Sequence, residues 1–111
     1  MQLEISVLSN PGGRQRNEDA CGFWTGNGCS FAIVSDGAGG HGGGDVASRL
    51  AVRVVLQRLR DSLTCAAPAV NDALHAAHAA ILAQQPMKAE LAGMRATATV
   101  LAIDTVRDTA V

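Results

Sequence analysis

The sequence predicts an α+β fold in which helices pack on a largely antiparallel sheet. Segments with the character of strands occupy the first third of the chain, two helical segments follow, and a β-branched segment comes after them. Alternating apolar and polar residues over 2–7 predict a half-buried strand, and residues 19–24 and 30–35 predict two more. The turn sequence Gly26-Asn27-Gly28 joins the last two of these strands as a hairpin.

From Asp45 onward the apolar residues recur at the spacing of a helix, which marks the first helix. The Asp45 carboxylate is a suitable cap or first-turn acid for it. A second helix is predicted from about Pro68 to Gln85, because proline suits the first helical turn and Pro86 ends the pattern. Residues 97–103 are β-branched and apolar and predict the final strand. The apolar faces are predicted to include Val46, Leu50, Val54 and Leu59 in the first helix, and Val70, Leu74, Ala77 and Ile81 in the second.

Length and composition limit the chain to one domain or part of one, since 111 residues is a common domain size. Nine basic and ten acidic residues give a net charge of −1, which offers no electrostatic basis for binding nucleic acid or an anionic membrane. The N-terminus lacks the basic and apolar regions of a signal peptide, and no apolar run is long enough to span a bilayer. Three cysteines without C-x-x-C spacing indicate reduced thiols, so we expect a cytoplasmic protein.

Residues suited to metal and phosphate binding occur in two blocks. The first is Arg14-x-x-Asn17-Glu18-Asp19, a cation followed by adjacent carboxylates, and the second places Asp36 at the end of a buried strand. Six glycines in the eight residues 37–44 then lead into a helix and allow the backbone to approach a ligand closely. Carboxylate oxygens are the ligands that Mg²⁺ and Mn²⁺ prefer, and a pair of such ions about 3.5–4 Å apart assists in-line attack on phosphorus. The Arg14 guanidinium is suited to bidentate binding of phosphate oxygens.

The two blocks, R-x-x-N-E-D-A and V-S-D-G-x-G-G-H-x-x-G-x-x-A-S, resemble in order and spacing the opening signature of bacterial PP2C-type protein serine/threonine phosphatases. Residues 94–100 are similar to the M-G-T-T-A-T strand of that family. The resemblance implies a β-sandwich flanked by helices, of which this chain supplies the N-terminal portion: strands, two antiparallel helices and a strand. It also implies that residues 1–111 belong to one phosphatase domain truncated at its C-terminal end, because the later metal-binding aspartates of the family have no counterpart.

The resemblance also assigns roles to individual residues. Asp36 matches the aspartate that bridges two divalent ions, Mn²⁺ or Mg²⁺, and Gly37 matches the residue whose carbonyl contributes to the second ion's shell. Glu18 and Asp19 match the acidic pair beside that ion, acting directly or through waters. Arg14 matches the arginine that holds the substrate phosphate, so Asp36 and Arg14 are the candidate catalytic residues. The implied activity is hydrolysis of phosphoserine and phosphothreonine by a metal-activated water, on proteins phosphorylated by a cognate kinase.

Four features depart from the family pattern or leave alternatives open. Ala38 stands where eukaryotic members of the family have a histidine, and Arg95 replaces a small residue of the M-G-T-T strand. Because the later motifs are absent, we expect the 111 residues alone to be inactive, and a catalytically inactive fragment or partner-binding module is the alternative function. His75 and His78 are three residues apart on a predicted helix, but no acid or cysteine accompanies them, which favours solvated helix residues over a metal pair.

A nucleotide-binding loop is the other interpretation of the glycine-rich run. The run lacks the G-K-[S/T] ending of a P-loop, and Asp36 before it would repel a phosphate in the absence of a metal. The sequence therefore favours metal-dependent phosphate chemistry over nucleotide binding.

Overall fold

The computed structural model describes residues 18–26, 28–39, 42–62, 64–106 and 109–110. In this part of the chain a four-stranded antiparallel sheet has the order β1-β2-β3-β4, and two helices lie between its second and third strands in sequence. The predicted α+β class is therefore confirmed, while the predicted strand over 2–7 falls outside the described residues. The elements are β1 (Asp19–Gly26), β2 (Cys29–Ala38), α1 (Gly44–Ser62), α2 (Ala67–Gln84), β3 (Arg95–Asp104) and β4 (Thr109–Ala110), with single 3₁₀ turns at Gln85–Met87 and Ala89–Leu91.

The predicted hairpin joins β1 and β2. Gly26 and Cys29 are cross-strand partners, so the connection has two residues, and Gly28 has the positive φ of 75° that this kind of turn requires. Strand β2 is longer than the predicted 30–35, because its pairing with β3 continues to Ala38, opposite Arg95. Asp36 and Gly37 consequently lie inside the sheet ladder, whereas the sequence placed Asp36 at the end of the strand, where it leads into a loop.

The two faces of the sheet differ in what covers them. On the helix-covered face, Phe31, Ile33 and Ser35 of β2 are buried, and the Ser35 hydroxyl donates to the Thr97 carbonyl oxygen at 2.7 Å. Trp24 of β1 stacks on Phe31 with 6.1 Å between ring centroids. The helices therefore close one face of the sheet with an apolar core in which this buried hydroxyl is paired.

On the opposite face, which we call the open face, the alternate residues of the same strands point outward. Phe23, Val34 and Leu101 are 49%, 61% and 47% exposed. Phe23 and Leu101 are both cross-strand partners of Ala32, so the apolar side chains are neighbours and not isolated. No element of the described ranges packs against this face.

The helices bury a face that is rotated slightly from the predicted one. In α1 the buried set contains Ser48, whose hydroxyl donates to the Asp45 carbonyl oxygen at 3.2 Å, while Val46 is 39% exposed. Helix α1 lies between the sheet and α2, so residues on two of its sides are buried. A single apolar stripe read from the sequence predicts burial on one side only. Neither helix in the described ranges is long and apolar enough to cross a bilayer. The buried residues are Gly44, Ala47, Ser48, Leu50, Ala51, Val55 and Leu59 in α1, and Ala73, Ala77 and Ile81 in α2.

The expectation that the thiols are all reduced is wrong for two of them. Cys29 at the start of β2 and Cys65 in the connection between α1 and α2 form a disulfide with 5.8 Å between Cα atoms. Both are buried, whereas Cys21 is free and half-buried. The two partners are 36 residues apart and meet only because α1 runs back along the sheet, so sequence spacing could not reveal the pair.

We expect the disulfide to contribute to stability by restricting the unfolded chain. Closing a loop of this length corresponds to about 3–4 kcal/mol in the free energy of unfolding. Urea unfolding with and without a reductant should show that loss in the wild-type protein. Cys21→Ser should unfold like the wild type under both conditions. Equal unfolding midpoints for the wild type with and without reductant would contradict the prediction.

Candidate metal and phosphate site

Two aspartates meet at one end of the open face. Asp19, the first residue of β1, is the cross-strand partner of Asp36 in β2, so both side chains project from the same side of the sheet. Directly opposed residues have Cβ atoms about 4.5–5.5 Å apart, and like charges at such positions destabilise the pairing. Both residues are exposed. Two opposed carboxylates at this spacing provide hard oxygen donors suited to a divalent cation.

Glu18 points to the other side, toward the start of α1. Its carbonyl oxygen accepts a hydrogen bond from the Gly37 amide at 3.0 Å, which extends the β1–β2 contact by one residue. Its carboxylate lies against Gly44, where an added methyl group would be 2.8 Å from Glu18 Cδ and 2.9 Å from Oε1. A carboxylate at a helix N-terminus is stabilised by the partial positive charge there.

The glycine-rich loop folds back onto the end of β2. A methyl group on Gly37 would collide with the Gly44 carbonyl oxygen and would lie 2.6 Å from the Glu18 carbonyl oxygen. Gly42 and Gly43 have positive φ values of 107° and 88°, which L side chains rarely adopt. The loop can therefore bring the first turn of α1 into backbone contact with the strand that carries Asp36 only because these positions lack side chains.

The structure brings together four of the five predicted site residues at this end of the sheet: Glu18, Asp19, Asp36 and Gly37. The acidic pair is divided, with Asp19 on the open face beside Asp36 and Glu18 on the side of α1. Within the described ranges, no group of three histidine, cysteine or acidic residues is placed to hold one ion. The metal roles of all four therefore stay predictions. Arg14, the fifth residue, lies outside the described residues.

The sequence did not single out Thr97 as a neighbour of the site. Thr97 in β3 is the cross-strand partner of Asp36 on the side opposite Asp19, and its hydroxyl lies 3.5 Å from the Asp36 carbonyl oxygen. The Thr97 side chain thus continues the row of polar residues at this end of the open face. Only the β2–β3 register reveals this, because the two residues are 61 positions apart. His75 and His78 are both exposed on α2, as the sequence indicated.

The family and the fold are shown by comparison with known proteins. The family model described as protein phosphatase 2C matches residues 10–111. This chain belongs to the protein phosphatase 2C family. It is similar to the serine/threonine phosphatase PstP/Ppp of Mycobacterium tuberculosis, with 31% identity, a TM-score of 0.64, and coverage of 79% of this chain and 36% of that one. The predicted resemblance is thereby confirmed.

Two further solved structures share the fold. A stage II sporulation E family protein from Thermanaerovibrio acidaminovorans has 26% identity and a TM-score of 0.66, covering 82% of this chain and 42% of that one. The serine/threonine phosphatase of S. agalactiae has 19% identity and a TM-score of 0.62, covering 89% and 42%, and supports the fold alone. No curated protein sequence matches the chain significantly. The chain thus spans between 36% and 42% of the lengths of these three structures.

We expect Gly37→Ala to disrupt the junction between β2 and α1. The added methyl group meets backbone atoms of Gly44 and Glu18, which cannot rotate away, so overpacking should lower the free energy of unfolding by about 2–4 kcal/mol. Gly93→Ala is the matched control, because the nearest atom to its added carbon is the Gly39 carbonyl oxygen at 4.0 Å. Chemical denaturation of both variants tests this, and equal stability of the two would refute the close contact.

Proposed function

We propose that this chain forms the N-terminal portion of a domain that hydrolyses phosphoserine and phosphothreonine in proteins. The observation that carries the proposal is the pairing of Asp19 with Asp36 at the end of the open face, next to the glycine-rich loop. Membership of the protein phosphatase 2C family and the likeness to a bacterial serine/threonine phosphatase support it. The substrates would be phosphoproteins, the products of a cognate Ser/Thr kinase.

The donor set fits two divalent ions, Mn²⁺ or Mg²⁺, in its chemistry. Asp36 and Asp19 offer carboxylate oxygens on the open face, and Gly37 offers a backbone carbonyl beside them. When bound, such ions supply an activated water and neutralise charge on the phosphoryl group. In this proposal Asp36 would be a ligand of both ions, Gly37 and the acidic pair would contribute ligands to the second, and Arg14 would orient the phosphate.

The open face indicates how the domain would be completed. Its neighbouring exposed side chains Phe23, Val34 and Leu101 form an apolar surface of the kind that monomers seldom leave in water. The chain spans less than half of each similar structure, so more chain is present in those proteins than in these residues. We infer that a second sheet packs on the open face to form a sandwich and brings further ligands to Asp19 and Asp36.

The same surface supports a second candidate function. An exposed apolar sheet face is also suited to binding a protein partner, and in that case the chain would be a partner-binding module without activity. Metal binding separates the two functions. A phosphatase domain should bind Mn²⁺ and lose that affinity when Asp36 is changed, whereas a binding module should show no effect of Asp36 on partner affinity.

In a protein that carries the complete domain, Asp36→Asn should remove nearly all phosphatase activity. The amide is nearly isosteric but uncharged, so it keeps the strand and loses the attraction for cations. The measurements are Mn²⁺ binding by calorimetry and turnover of a phosphopeptide at saturating Mn²⁺. Asp72→Asn, an exposed position on α2, is the control and should retain both properties. Near-normal turnover of Asp36→Asn would show that the metal role is wrong.

Arg14 should act on the substrate and not on the metal. Arg14→Ala is expected to reduce kcat/KM by the equivalent of about 1.5–3 kcal/mol, the contribution of a charge-assisted hydrogen bond. Arg14→Lys should recover only part of this, because an ammonium group cannot make the bidentate contact. Steady-state kinetics across a Mn²⁺ titration separate the two roles. Loss of metal affinity with an unchanged KM for the phosphopeptide would make Arg14 a residue that supports the acidic loop.

A further inference from the structure

A side-chain hydrogen bond far from the aspartates of the candidate site joins the end of α2 to Met94, a residue that contacts the glycine-rich loop. Gln85 follows the last residue of α2, and its side-chain amide donates to the Met94 carbonyl oxygen at 2.9 Å. Met94 precedes β3 and is fully buried, and its own amide donates to the Leu91 carbonyl oxygen at 3.1 Å. Both polar backbone groups of Met94 are therefore satisfied, and these two hydrogen bonds fix where its Cβ lies.

Met94 in turn packs against Gly43, together with Glu90 and Leu91. A methyl group on Gly43 would lie 3.1 Å from Met94 Cβ, 2.9 Å from the Glu90 carbonyl oxygen and 3.4 Å from Leu91 Cδ2. Gly43 is buried and has a positive φ of 88°, so its conformation is held by what surrounds it on this side. A shift of Met94 by a few tenths of an ångström would change the space available to Gly43.

Gly43 connects these packing contacts to the candidate site. Its carbonyl oxygen accepts the first hydrogen bond of α1, from the Ala47 amide at 2.8 Å. The next residue, Gly44, packs its carbonyl group on Gly37 and its Cα on the Glu18 carboxylate. The contacts thus form a continuous chain from Gln85 through Met94 and Gly43 to the residues beside Asp36.

We propose that Gln85 is a positioning residue for the candidate metal site: its hydrogen bond to Met94 holds the segment against which the glycine-rich loop is seated. A glycine-rich loop gains no side-chain packing of its own and loses much backbone entropy on ordering, so external contacts must hold it in place. The role assigned to Gln85 rests on the proposed function, whereas the mechanical link from Gln85 to the loop does not.

The test compares Gln85→Ala and Gln85→Glu with Gln84→Ala in the full-length protein, studied first without metal. Gln85→Glu keeps the size of the side chain but places an oxygen opposite the Met94 carbonyl, so it breaks the hydrogen bond without leaving a cavity. Gln84 is the adjacent residue and is exposed, which makes Gln84→Ala the matched control. The readout is amide hydrogen exchange at Gly37 and Ala47, whose hydrogen bonds lie on the two sides of the loop.

Both Gln85 variants should exchange these two amides roughly three- to tenfold faster, as loss of one hydrogen bond implies, while the β1–β2 amides and the control are unchanged. Mn²⁺ affinity, measured by calorimetry, should fall by a similar factor, and kcat at saturating Mn²⁺ should be retained. Faster exchange confined to residues 85–95 would overturn the proposal, as would equal effects of the Gln84 and Gln85 variants. If the loop amides respond but the wild-type protein binds no Mn²⁺, the proposed function fails and the mechanical link stands.

Discussion

The close contact between the glycine-rich loop and the end of β2 determines the arrangement of the rest of the molecule. The Gly44 carbonyl group packs on Gly37, where any side chain would collide with it. This contact fixes where α1 begins and how it lies across the sheet, and α2 packs on α1 in turn. It also keeps the Glu18 carboxylate at the N-terminus of α1. A stabilising core and a candidate site therefore depend on the same few positions without side chains, and the sequence can change little there.

The sheet has a separate role on each of its faces. Residues of β2 that point toward α1 are large or hydrogen-bonded and buried, as in Phe31, Ile33 and Ser35. Residues between them point to the open face, where an apolar middle formed by Val34 and its neighbours gives way to Asp36 at the end. Strand alternation alone produces this division. One strand thus connects the helical core to a surface that combines apolar area with paired carboxylates.

Patterns among residues close in sequence predict much of this fold, whereas contacts between residues far apart in sequence determine the rest. Turn chemistry at Gly26-Asn27-Gly28 and the period of the two helices predicted the hairpin and helix positions, because those signals act between neighbours in sequence. The exposure of Val46 could not be predicted, since it depends on how α1 is rotated between α2 and the sheet. The Cys29–Cys65 disulfide likewise depends on tertiary packing. For the site, motif spacing predicted the residues, but only the strand register shows that Asp19 and not Glu18 faces outward beside Asp36.

The two carboxylates of the acidic pair have different electrostatic surroundings. Asp19 opposite Asp36 places two negative charges on neighbouring strands, an arrangement that weakens a sheet unless a cation or positive side chain lies nearby. The next row of the same face carries Cys21, Val34 and Thr99, so uncharged residues are accommodated one step away. The opposed charges are thus confined to the end of the face, where the cation site is proposed. Glu18, in contrast, lies at a helix N-terminus, where a carboxylate is stabilising in its own right. The two acids of the pair therefore have different surroundings, and Asp19 is the one that lies beside Asp36 on the open face.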